Sequence, residues 1–200
     1  MYVPAHFRED REDVLRDAMR DIGFATLVSQ TETGIEANHL PLLMEGDVLR
    51  GHFARANPTW KTLKPEAEAL AIFLGPHAYV SPNWYPSKAE TGKAVPTWNY
   101  ITVHAHGRLS LRDDPAWLLA HVGRLSAAHE AGNPAPWKVD DAPDDYINGL
   151  LRAIVGFELS ITRLDGKWKL SQNRKPADVA GVKEALARDG NTALADLMGR

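Results

Sequence analysis

Three groups of residues carry side chains capable of chemistry. The first is His104-x-His106, two imidazoles that an extended chain would set on one face, as zinc or iron ligands often are. A third ligand would have to be His39, His52 or His77, and no spacing selects among them, so hydrogen-bonded histidines at an interface are the simpler reading. The second group is Arg55 and Lys61 around Asn57-Pro58-Thr59-Trp60. With Asn57 as N-cap and Pro58 at the first helical position, the segment reads as a helix start. Backbone N–H groups and both cations would there converge on a phosphate, although a plain capped helix explains the pattern equally well. The third group is the even face of a long strand from Thr97 to Leu111: Trp98, Tyr100, Thr102, His104, His106, Arg108 and Ser110. That face is too aromatic and too polar for core or plain surface. It has the composition of an interface or a ligand wall.

Other chemistries are excluded or unsupported. The absence of Cys removes disulfides, thiolate zinc sites and cysteine nucleophiles, and suits a reducing, cytoplasmic compartment. No Gly-x-Ser-x-Gly elbow is present, and the pairs Asp113-Asp114, Asp140-Asp141 and Asp144-Asp145 read as solvated loop or helix-start charges. Thr91-Gly92-Lys93-Ala94 lacks the Ser/Thr and the earlier Gly of a P-loop. The formal net charge of −3 argues against a broad basic face for nucleic acid. No membrane span and no export signal is expected.

The elements that must position these groups follow from periodicity. Arg11 to Ile22 carries an apolar stripe of Val14, Leu15, Ala18, Met19 and Ile22, an amphipathic helix closed by Gly23. Phe24–Gln30, Ile35–Leu43 and Val48–Arg55 read as a meander of strands. Ala69–Leu74, apolar on both faces, predicts a central strand, and Ile154–Leu164 alternates cleanly. Helices are predicted from Asp114 to about His129, from Asp144 to Arg152, and in the tail over about 178–198, hinged at Asp189-Gly190-Asn191. Gly75–Pro96 and Glu130–Pro143 lack periodicity and are expected to be irregular. Together these predict a single α+β, mainly β domain over 1–200: an antiparallel barrel, whose closure removes exposed edges, with peripheral helices.

Several motifs follow one another in a recognisable order: Met1-Tyr2-Val3-Pro4-Ala5-His6-Phe7, Asn38-His39-Leu40-Pro41, Gly51-His52-Phe53-Ala54-Arg55-Ala56-Asn57-Pro58 and Phe73-Leu74-Gly75-Pro76-His77-Ala78-Tyr79-Val80-Ser81-Pro82. Trp84-Tyr85-Pro86-Ser87-Lys88, Val95-Pro96-Thr97-Trp98-Asn99-Tyr100 and Gly166-Lys167-Trp168-Lys169-Leu170-Ser171-Gln172-Asn173 complete the series. With these motifs the chain resembles the PaiB family of FMN-binding negative transcriptional regulators. The resemblance implies a split β-barrel of the FMN-binding type, related to pyridoxamine-phosphate oxidases and flavin reductases, assembled as a homodimer with FMN between subunits. It puts Asn38, His39, Leu40 and Pro41 along the ligand-side strand, and His52, Arg55 and Asn57 near the phosphate or ribityl chain. Tyr79, Ser81, Trp84, Tyr85 and Lys88 would form a loop over the cofactor, with Trp98, Asn99, Lys169, Ser171 and Gln172 contributing from either subunit. Arg55, Lys88, Trp98, Lys169 and Gln172 rank highest by chemistry: phosphate charge, ring stacking and polar contact to the ring edge. Six tryptophans against five Tyr and five Phe would then divide between flavin and packing, with Trp60, Trp117 and Trp137 assigned to packing.

The resemblance supports flavin binding more strongly than DNA binding. The tail helices hold only Arg188, Arg200 and Lys183 as cations, a poor DNA-reading unit, so any regulation would be indirect or run through a regulatory protein partner. The alternatives are an FMN-dependent oxidoreductase of a small molecule, oxidase or flavin reductase, and a haem-binding split barrel using His104 or His106.

Overall fold

The computed structural model describes residues 1–64 and 68–199. A 3-10 turn at Ala5–Phe7 leads into β1 (Arg8–Glu9), α1 (Glu12–Ile22), β2 (Phe24–Thr31), β3 (Gly34–Pro41), β4 (Leu43–Glu45), β5 (Val48–Ala54) and α2 (Thr59–Thr62). The long strands β6 (Glu68–Val80) and β7 (Thr97–Arg112) follow, with α3 (Ser87–Thr91) between them. Then come α4 (Pro115–Glu130), α5 (Asp144–Leu151), β8 (Ile154–Lys169), α6 (Pro176–Arg188) and α7 (Thr192–Leu197). The protein is mainly antiparallel β with helices, and its residues group into two compact units.

One unit comprises residues 23–72 and 105–163. Its strands run in the order β3-β2-β6-β7-β8-β5-β4, with β2 antiparallel to both β3 and β6, and β5 antiparallel to both β4 and β8. Near the two ends of that order the sheet curls back on itself. A Cβ at Gly51 of β5 would lie 2.6 Å from the Phe157 ring and 2.7 Å from the side chain of Leu42, the residue after β3, so a larger residue there would have to displace them. The barrel is filled by Leu27, Leu49, Phe53, Phe157 and Leu159, with the Phe53 and Phe157 rings 4.7 Å apart. On it, Glu158 of β8 ties Arg50 of β5 at 2.8 Å and Arg112 of β7 at 2.6 Å.

The other unit comprises residues 1–22, 73–104 and 164–200. Here β1 pairs with β8 at Glu9 and Gly166, and α1 buries Leu15 and Met19 while its charged residues face out. Helices α6 and α7 bury Val182, Leu186, Leu194 and Met198 against Val80, Tyr85, Ile101 and Leu170.

Three sequence expectations shift. The strand predicted over Ala69–Leu74 continues to Val80, into a stretch expected to be irregular. Its burial phase flips at Gly75-Pro76: Ala69, Ala71 and Phe73 are buried before the break, Ala78 and Val80 after it. The phase slip and the Gly-Pro pair both imitate a strand end. The strand expected over Ile35–Leu43 divides at Leu42, whose N–H is taken by the Gly23 carbonyl at 2.8 Å. The last strand runs to Lys169, beyond its hydrophobic alternation, because β1 pairs there and Gly166 leaves room for the Glu9 carbonyl and Leu15. The helices at 115–130, 144–151 and in the tail agree with expectation within a few residues. Among the described residues no helix is long and apolar enough to cross a membrane.

Gly107 tests the closeness of β7 and β8, since a Cβ there would lie 2.3 Å from the Ser160 carbonyl oxygen, which belongs to backbone and cannot yield. Gly107→Ala is expected to destabilise by about 1–3 kcal/mol. In helix α4 a Cβ at Gly123 meets nothing, so Gly123→Ala is expected to stabilise by about 0.5–1 kcal/mol; urea midpoints of the two variants should move in opposite directions.

Candidate functional site

The site residues expected from sequence fall into two sets, one in each unit. In the barrel unit, Asn38 of β3 and Asn57 beyond β5 meet at 2.6 Å, Asn38 also reaches the Thr59 hydroxyl at 3.3 Å, and Asn57 Oδ1 accepts the Thr59 N–H at 3.0 Å. Asn57 thus satisfies the Thr59 N–H, but the expected cap is corrected: the helix begins one residue later, Pro58 and not Asn57 is its N-cap, and it makes only a single turn. His39 Nδ1 lies 3.0 Å from the Thr26 hydroxyl, Leu40 is buried and Pro41 closes its strand.

Arg55 is held inside the unit. Its Nε donates to the Arg152 carbonyl at 2.8 Å, Nη2 to the Ile154 carbonyl at 2.8 Å, and the fork grips Asp113. Four of five guanidinium N–H donors are thus engaged in joining the end of β5 to the start of β8 and the end of β7. Trp60 packs under this arrangement, its indole N–H on the Arg55 carbonyl and its face beneath Lys61 Nζ at 5.2 Å.

His52 Nδ1 lies 3.1 Å from His121 Nε2. His121 is fully buried, and the Trp117 ring stacks on it at 5.1 Å. Burial pushes the His121 pKa down to about 4, with help from His52, Arg124 and Arg50, and burial lowers His52 too. Both rings are therefore neutral near pH 7. His121 was missed in the sequence, yet the signal was there: Leu118, His121 and Leu125 form the buried stripe of α4.

In the second unit Trp98 stands 52% exposed on β7, flanked at 6.3 Å each by His77 and the 47% exposed Tyr79 of β6. Lys169 Nζ donates to the Trp98 carbonyl and to the Thr97 hydroxyl. Its pKa is lowered by burial and by Lys167 and Arg174. Lys88 donates to Asn83 Oδ1 beside Trp84. Other expected site residues are built into the fold. Asn99 donates to the Ser171 hydroxyl at 3.0 Å with both residues buried, and Ser171 holds a left-handed φ of 65° at the end of β8. Gln172 closes that turn by accepting the Leu170 N–H at 2.8 Å, and Ser81 caps the 3-10 turn that follows β6. Tyr85 is buried with Arg174 4.9 Å over its ring, and burial raises its pKa. Trp84 lies where Gly181 of α6 lets the helix approach the Trp84 carbonyl. Asp178, where the tail helix was expected to begin, receives the Ser87 N–H and hydroxyl; burial alone would raise its pKa, but these bonds hold it low.

His106 Nε2 accepts from Arg163 at 2.9 Å, in keeping with the hydrogen-bonded reading of that histidine. Among the described residues no group of three or more His, Asp or Glu is arranged to hold a metal.

Residues 1–163 match the family described as "Putative FMN-binding domain". The chain belongs to this family. The Bacillus subtilis protein named "Protease synthase and sporulation protein PAI 2" is 32% identical over 207 residues, covering 99% of this chain and 96% of its own length. The family match stops before Lys169, Ser171 and Gln172, whereas the similarity to PAI 2 spans essentially the whole chain. Among solved structures, an FAD- and haem-binding protein from Mycobacterium smegmatis aligns with a TM-score of 0.63 at 15% identity, over 86% of this chain and 78% of its own. The flavocytochrome Anf3 of Azotobacter vinelandii aligns at 0.60 and 14%, over 90% and 78%. These likenesses establish the split-barrel fold.

The histidine pair makes stability pH-dependent. Between pH 6.5 and about 4 the unfolded His121 ring takes up a proton that the folded ring refuses, so stability is lost as pH falls through that window, by up to about 3 kcal/mol. His52 acts with the same sign. His121→Leu should flatten the thermal midpoint against pH between 4 and 6.5; a slope equal to the parent's would show that the ring is not held neutral.

Proposed function

We propose that this member of the FMN-binding-domain family binds FMN on the outward face of β7, at the interface of a homodimer, and acts as a negative regulator of transcription through a protein partner. The observation that carries the flavin reading is the group Trp98, Tyr79, His77 and Lys169. It offers a π-surface open to a ligand next to an ammonium, the two things an isoalloxazine ring with a phosphate tail requires. An exposed indole of this size on an otherwise ordered strand also favours a covering surface, and a second copy of the chain is the simplest source.

The residues fit the group in distinct ways. Trp98 and Tyr79 would stack on or edge the ring. Lys169 keeps one ammonium N–H beyond its two described acceptors, and Lys88 keeps two beyond Asn83, so both retain capacity for a phosphate. Arg55 likewise has one donor left, and its four bonds to carbonyls and to Asp113 hold the strand ends that carry Asn57. Bound flavin supplies hydride and electron transfer by itself, and the chain's contribution is to bind, orient and shield it. The regulatory half rests on the family resemblance. Direct DNA reading gains nothing from α6 and α7, whose described cations are Lys183 and Arg188 against Asp178, Glu184 and Asp196.

The absorption spectrum of the purified protein and a titration with FMN followed by flavin fluorescence test this reading. Trp98→Ala is expected to weaken FMN binding about fivefold or more and to shift sedimentation toward monomer. Trp117→Ala, which removes the ring stacked on His121, should lower the melting temperature and leave FMN affinity unchanged. Equal effects on FMN affinity would overturn the placement, and a Soret band in place of flavin bands would overturn the cofactor.

A further inference from the structure

A cavity of about 300 Å³ opens in the barrel unit between α4, α5 and the segment carrying Trp137. Its walls are Val122 and Ser126 from α4, Ile147 and Leu150 from α5, Trp137, and His52 from β5. Among the described residues no lysine, arginine or carboxylate lines it, so a phosphate or other strongly charged group finds no counter-charge there. The volume lies at the small end of ligand pockets, enough for a one-ring compound. The segment over it is fixed: Glu130 accepts the Trp137 N–H at 3.1 Å and the Asn133 side chain, and Asp141 accepts the Lys138 N–H at 2.8 Å.

Among the described residues His52 is the only ionisable group in the wall, and its state follows from the residue behind it. His121 is fully buried, and its Nδ1 has no hydrogen-bond partner among the described residues. A proton on that nitrogen would be an orphaned buried donor, so the proton belongs on Nε2, which donates to His52 Nδ1. His52 then accepts at Nδ1 and carries its own proton on Nε2. The charged groups around the pair are Arg50 and Arg124, both paired with Glu45, and Glu158, paired with Arg50. In a wall that is apolar apart from the Ser126 hydroxyl, a neutral ring with one N–H is a recognition element for an acceptor.

We propose that this cavity is a second binding site, separate from the flavin, for a small uncharged molecule with an apolar one-ring body and one hydrogen-bond acceptor such as a carbonyl oxygen. The His121-His52 pair presents the donor, and Val122, Ile147, Leu150 and Trp137 take the apolar body.

The test uses the full chain and two probes of similar shape, acetophenone with a carbonyl and ethylbenzene without one, followed by calorimetry and by the ring signals of His52 in NMR. Acetophenone should bind saturably at one per chain, about fivefold tighter than ethylbenzene, and should shift the His52 signals. His52→Phe should abolish that preference. Val122→Trp, or Ile147→Trp from the opposite wall should the first fail to fold, should abolish binding of both probes and leave FMN affinity unchanged. No saturable binding of acetophenone, equal affinity for the two probes, or binding that survives a folded cavity-filling variant would overturn the proposal.

Discussion

The alternation of β7 is the constraint on which the rest depends. From Asn99 to Gly107 every second residue is buried, so the strand must place Ile101, Val103 and Ala105 inside and commit its other face to something else. Where the inward face carries a polar group, a partner has to be found. Asn99 takes Ser171 and reaches Met198, and on the other face the buried Thr102 hydroxyl donates to the Phe73 carbonyl. The turn at Ser171 and Met198, just after α7, both meet this one buried amide. A one-residue slip of β7 would bury Trp98 and His104 and strand Asn99 on the surface.

Positive charges show how function and scaffold compete for the same side chains. Arg55 and Lys169 lie in motifs that suggest ligand binding, and Arg174 directly follows the last of them. The structure engages each with its own fold: Arg55 with the carbonyls of residues 152 and 154, Lys169 with the Trp98 carbonyl, and Arg174 with the Tyr85 ring. Strand ends expose carbonyls that lack ladder partners, and a cation on a long stem satisfies them over several ångströms. What distinguishes Lys88 from Arg55 is residual capacity, since an ammonium with one acceptor still has two donors to offer.

Much of the fold was legible because its signals are local. The amphipathic stripe of α1, the alternation of β7 and β8, and the Asp114-Pro115 start of α4, where Asp114 accepts the Trp117 N–H at 2.8 Å, each depend on residues within a turn or two. The second half of β6 was not legible. Gly75 there answers to Ile101, 26 positions away, and a local pattern cannot distinguish a strand end from a strand whose burial phase slips. The candidate site shows the same division. Trp98 and Tyr79 could be marked by composition and motif, but their nearness to each other could not. His121 was hidden because one histidine in an apolar stripe takes its meaning from the histidine on another element that meets it.

By itself the sequence determined a mainly β protein with peripheral helices, without thiol chemistry, carrying an aromatic and polar strand face and the ordered motifs of an FMN-binding family. All of these are properties of residue type, period and order. Only the tertiary structure decided which marked residues remain open to a ligand and which are enclosed by the fold: Trp98 and Tyr79 are exposed, Asn99, Ser171 and Tyr85 are buried, and Arg55 is tied down. The physical reason is that exposure and hydrogen-bond satisfaction are set by neighbours brought from elsewhere in the chain. A side chain's chemistry is written in its type, but its availability is settled by what packs against it.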